Sequence, residues 1–140
     1  MGPLYAEKEL INPIDIAISR RLNLAPTNGR RITLSARVDT NSLFMVINRE
    51  IQNYLQLSIT DSRRVELPSG KVIECPLVGP LTIRYLDYTA HGNAIVIAGC
   101  SEPILGAIPL RCMNLIIDPQ ELGLIPNPRL PRMGGMRFVN

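Results

Sequence analysis

Tryptophan is missing from this chain of 140 residues, and phenylalanine occurs only twice. Because 46% of the residues are hydrophobic, the core has to be assembled from Ile, Leu and Val, a composition suited to β-structure. No apolar run approaches the roughly 20 residues of a membrane-spanning helix. The opening Met1-Gly2-Pro3-Leu4-Tyr5-Ala6-Glu7-Lys8-Glu9 lacks the basic-then-apolar layout of a secretion leader, so a cytoplasmic chain without membrane contact is expected. Cys75, Cys100 and Cys112 are odd in number and show no Cys-x-x-Cys spacing, and His91 is the sole histidine. Neither a disulfide framework nor a zinc site is indicated, and the sequence calls for no metal and no cofactor. The formal charge is only +3. The doublets Arg20-Arg21, Arg30-Arg31 and Arg63-Arg64 are diluted by acids and carry no aromatic series, which argues against nucleic acid and for solvated strand edges.

What is present is a strict alternation. Ile32, Leu34, Ala36 and Val38 are separated by Thr33, Ser35 and Arg37, the period of a half-buried strand. That strand runs into Asp39-Thr40-Asn41-Ser42, and the apolar run Leu43-Phe44-Met45-Val46-Ile47 follows. A carboxylate delivered between two apolar strands is costly unless hydrogen-bonded, so Asp39 needs a structural partner or a chemical task. Elsewhere, Pro26 and Asn28-Gly29 signal a turn over 23–29, and Asn48 is a potential cap for a brief helix through Ile51, Tyr54 and Leu55. Strands at Arg64–Leu67 and Lys71–Cys75 flank the turn Pro68-Ser69-Gly70. Leu81, Ile83 and Tyr85 alternate with polar residues, and Asn93 to Ala98 reads as an interior strand. A second short helix is expected to begin at Pro109, ahead of a strand from Leu115 to Ile117.

An ordered set of segments carries a more specific message. Val38-Asp39-Thr40-Asn41-Ser42, Glu66-Leu67-Pro68-Ser69-Gly70-Lys71, Val78-Gly79-Pro80 and Ile104-Leu105-Gly106-Ala107-Ile108-Pro109-Leu110 follow one another between Ile11-Asn12-Pro13 and Ile125-Pro126-Asn127-Pro128. This arrangement resembles the small bacterial, single-domain members of the retropepsin-like aspartic peptidases. The resemblance implies an all-β fold: a single-domain, retropepsin-like closed β-barrel with one or two short helices over residues 1–126, followed by a Pro-, Gly- and Arg-rich tail over 127–140. One position departs from the pattern, since Asn41 stands where the family has Gly. Asn is the non-glycine residue most tolerant of the left-handed region, so the turn is expected to close there.

The resemblance also implies roles. Asp39 is the catalytic carboxylate, and because the chain holds only one such loop, a homodimer has to supply the second. Thr40 resembles the threonine that bonds across the two-fold axis, and Ser42 occupies the position from which a hydroxyl is donated to the carboxylate. Pro68, Ser69 and Gly70 resemble the tip of the flap over bound peptide, and Leu105-Gly106 the strand and glycine packed behind the catalytic loop. Two readings follow: a homodimeric aspartic endopeptidase acting on peptide or protein, or a retropepsin-like dimer that has lost catalysis through Asn41 and serves as a peptide-binding or structural module. Taken without the other segments, Asp39-Thr40-Asn41-Ser42 reads as an Asx-type turn.

Overall fold

The alternating segment that ends at Asp39 is a strand, and its neighbours on both sides determine where the carboxylate sits. The structure, a computed structural model, describes residues 4–22, 29–99 and 102–128. The anticipated turn at 23–28, Cys100 and the tail from 129 lie outside the described residues. Among those described, the elements run β1 (Tyr5–Ile11), α1 (Pro13–Arg21), β2 (Arg31–Val38), β3 (Met45–Ile47), α2 (Arg49–Leu55), β4 (Ser58–Glu66), β5 (Val72–Tyr85), β6 (Tyr88–Val96), β7 (Ile104–Leu105), α3 (Ala107–Cys112), β8 (Leu115–Asp118) and β9 (Gly123–Pro126). The described residues are mostly β with three short helices. No helix among the described residues is long and apolar enough to cross a membrane.

Seven strands form one sheet in the order β1-β2-β7-β3-β6-β5-β4, and β8 and β9 form a separate pair. β1 pairs antiparallel with β2 from Tyr5↔Arg37 to Ile11↔Arg31, and its last residues also pair with β5, Leu10 opposite Ile83. The ring of pairings is uneven. β1 meets β5 over Glu9, Leu10 and Ile11, and β7 meets β3 only at Val46↔Ile104. Leu10, Met45, Ile47, Val78, Leu81 and Leu105 are buried in the core. Each such side chain contributes roughly 1.5–3 kcal/mol on leaving water. Thr82 is buried between Leu81 and Ile83, so the expected alternation breaks there. β5 has neighbours along both edges at this point, and Thr82 Oγ1 is satisfied by His91 Nδ1 at 3.0 Å across β6.

α2 follows the expected start: Asn48 caps it, its side chain accepting from Ile51 N at 2.8 Å. α3 begins at Ala107 rather than Pro109, because Gly106 in extended backbone serves as the N-cap and Pro109 falls inside the first turn. The hairpin around Pro68-Ser69-Gly70 is longer than its sequence signal, with β4 paired to β5 from Ser58↔Gly79 to Glu66↔Val72 and solvent-exposed over most of its length. Two of the three arginine doublets take part in ion pairs at the surface, Arg30 with Asp15 at 2.9 Å, Arg31 with Glu9 at 3.1 Å and Arg63 with Asp61, whereas Arg20-Arg21 lies in the last turn of α1 and not on a strand edge. Cys75 is buried and free, and burial pushes its thiol up; Cys112 is exposed and free.

α1 has no counterpart in the sequence expectation. Asn12 Oδ1 accepts from Ile14 N at 2.9 Å and Pro13 opens the helix, while Asn12 Nδ2 donates to Leu55 O at 2.8 Å. One buried side chain therefore caps α1 and ties it to the end of α2. Asn12→Ala removes the cap and leaves a buried carbonyl unpaired, and a loss of about 2–3 kcal/mol is expected in urea unfolding. A loss under about 0.5 kcal/mol means that the tie between the helices is not structural.

Candidate active site around Asp39

β7 is only two residues long, yet it sets the site. It lies parallel to β2, with Val38 opposite Leu105, and antiparallel to β3 on its other side. Asp39 N donates to Leu105 O at 3.0 Å, which carries the β2 ladder one residue past the strand and delivers the carboxylate at the end of an interior strand. Leu105 is fully buried behind it. Gly106 closes the rear of the loop. A Cβ there collides with Phe44 O and meets Ser42 O at 2.6 Å, and the adjoining amides Ala107 N and Ile108 N donate to Ser42 O at 2.8 Å and Leu43 O at 2.9 Å. The loop after Asp39 is thus held close against the start of α3 by backbone contacts.

Within the loop, Ser42 N donates to Asp39 O at 3.1 Å and Asn41 N to Asp39 Oδ1 at 3.0 Å. The second bond is the Asx turn that the local residue types favour. Asn41 does not adopt the left-handed conformation expected of it: among the described residues the non-glycine residues with positive φ are Gln56, Leu86, Asn114 and Leu122. The turn needs no glycine because Asp39's own side chain draws the backbone round. Thr40 and Asn41 are exposed. Ser42 departs from its expected role, since its hydroxyl donates to Phe44 O at 3.0 Å and not to the carboxylate.

The side-chain donor to the carboxylate is Arg37, whose Nη1 lies 3.3 Å from Asp39 Oδ2. Its Nε donates to Glu102 Oε1 at 2.9 Å, and Tyr5 OH donates to Glu102 Oε2 at 2.9 Å. The hydrogen bond to Glu102 holds the Tyr5 phenol above its usual range. Sequence reasoning passed over this group. Arg37 was within reach of it, since residues two apart in a strand share a face; Tyr5 and Glu102 come from distant segments that only the β1-β2-β7 order assembles.

Pro68, Ser69 and Gly70 form an exposed hairpin tip, Leu67 N donating to Lys71 O and Gly70 N to Leu67 O, each at 2.8 Å. Gly70 has φ +90°, a conformation that side chains disfavour. No hydrogen bond among the described residues joins this tip to the Asp39 loop. The structure therefore unites Asp39, Thr40, Asn41, Ser42, Leu105 and Gly106 in one unit and leaves the hairpin tip as a separate feature. Among the described residues no group of three or more His, Cys, Asp or Glu is placed to hold a metal ion. In comparison with known proteins, the chain matches no protein-family model and no curated protein.

Proposed function

We propose that this chain is a homodimeric aspartic endopeptidase of the retropepsin-like type, its ring of strand pairings being the closed barrel of that fold. The observation that carries the reading is the Asp39 loop. A carboxylate with a quarter of its side chain exposed stands at the end of β2, on backbone clamped between Leu105 and Gly106. A single carboxylate cannot both activate a water and protonate a peptide carbonyl. Two related by a two-fold axis can, one taking a proton from the water while the other gives one to the carbonyl oxygen. Like charges that close do not both ionise, so the pair shares one proton. A symmetric dimer through the exposed Thr40-Asn41 turn supplies the second carboxylate. The hairpin tip of each protomer then covers an extended peptide, which pairs with strand edges as it binds.

The test is cleavage of an unstructured protein or peptide library at acidic to neutral pH by the purified chain. Cleavage is expected, with Asp39→Ala lowering it by at least about a thousandfold. Cleavage that survives Asp39→Ala assigns the chemistry elsewhere. A second reading, a dimer that binds peptide without cutting it, is favoured by one observation: Asn41 places an exposed side chain in the Asp39 turn, where the retropepsin-like pattern has glycine. Gain of cleavage on Asn41→Gly in a chain otherwise inactive selects that second reading.

A further inference from the structure

We infer that Arg37 is the positioning residue of the Asp39 carboxylate, held for that purpose by Glu102 and Tyr5. The inference rests on Asp39 being the reacting carboxylate. Tyr5 and Arg37 face one another across β1 and β2, and Glu102 leads into β7 on the other side of β2. Three adjacent segments thus meet in one chain of contacts that runs from Tyr5 through Glu102 to the Arg37 guanidinium. The shorter contact goes to Glu102, at 2.9 Å from Nε, and the longer one to Asp39, at 3.3 Å from Nη1. Glu102 is in turn fixed by the Tyr5 hydroxyl. Arg37 therefore keeps its place independently of Asp39 and presents a fixed donor to Oδ2.

Asn41 N holds the opposite oxygen, Oδ1. A carboxylate with one donor on each oxygen has its plane set, and each oxygen retains a lone pair for water and for a shared proton. A planar guanidinium suits this bridging, because its nitrogens address two acceptors in fixed relative directions, which an ammonium does not. Stability is not a sufficient account of the cluster. Arg37 is a third exposed and Glu102 more so, and exposed ion pairs contribute little to folding. What the contacts do achieve is orientation at the one carboxylate on which the chemistry depends.

The test uses the full chain with Arg37→Met and, as a variant that preserves shape, Glu102→Gln. Two readouts separate positioning from bulk structure. In steady-state cleavage, Arg37→Met is expected to lower kcat about 10- to 100-fold with KM held within about twofold, the size of effect that misorientation of a reacting group produces. By NMR, the Asn41 amide proton, shifted downfield by its bond to the carboxylate, is expected to move upfield in Arg37→Met and in the same direction in Glu102→Gln. An Asn41 amide that stays in place in both variants overturns the inference, as does a rise in KM with kcat unchanged. Absence of Asp39-dependent cleavage in the unmodified chain defeats the peptidase reading alone, and the Asn41 resonance still decides whether Arg37 orients Asp39.

Discussion

Gly106→Ala is expected to cost at least about 3 kcal/mol in urea unfolding and to abolish any activity that depends on the Asp39 loop. Gly106 has φ −92°, open to every residue, so its cost on substitution comes entirely from space. The added methyl collides with Phe44 O and meets Ser42 O at 2.6 Å and the Leu43 carbonyl carbon at 2.9 Å. All three are backbone atoms, and none has a rotamer to change. Relief requires moving the Asp39 loop away from α3, which breaks the bonds from Ala107 N and Ile108 N. Gly123→Ala is the matching control, since a Cβ at Gly123 has no atom within 4 Å. Equal unfolding midpoints for the two variants contradict the packing described.

Lys8→Met is expected to stabilise the protein, and by an amount that depends on pH. Lys8 lies on the inward face of β1 between Ala6 and Leu10, with only 2% of its surface exposed and a single bond, from Nζ to Ala6 O at 2.6 Å. Burial pulls its ammonium down from 10.5 to about 8. The unfolded chain thus binds more protons than the folded one between pH 8 and 10.5, so the stability of the native protein rises with pH across that window. Below the folded value the penalty is fully present, and it amounts to about 3 kcal/mol. Lys8→Met removes it, so the variant's advantage is expected to be largest at pH 7 and below and to fade as pH climbs to 10.5. A constant difference between the two proteins over pH 7 to 10.5, or destabilisation at pH 7, shows that Lys8 keeps its charge without cost.

The parts of the molecule that were legible in the sequence are those governed by neighbours along the chain. Ile32 to Val38 alternate and form β2; Asn48 caps α2; Asp39 and Asn41 make the Asx turn that their side chains favour. α1 was hidden because Ile14, Ile16 and Ile18 recur at every second residue and imitate a strand, although Asn12 followed by Pro13 is a helix start. Lys8 illustrates a conflict of signals: strand period places it inward with Ala6 and Leu10, while its charge argues outward, and the period prevails. The site shows the same division. The loop was readable, whereas the partners of its carboxylate were not, since Glu102 and Tyr5 reach Arg37 only after β1, β2 and β7 are laid side by side. Ser42 was assigned to the carboxylate and serves Phe44 O instead, a choice between two nearby acceptors that sequence order does not settle.

The central claim is that each active site needs one Asp39 from each of two chains. Mixing the unmodified chain with increasing Asp39→Ala chain, under conditions where protomers exchange, measures this directly. If the dyad is shared, cleavage per unmodified chain falls as mixed dimers form and approaches background at large excess of the variant. Cleavage per unmodified chain that stays constant across the titration contradicts the account.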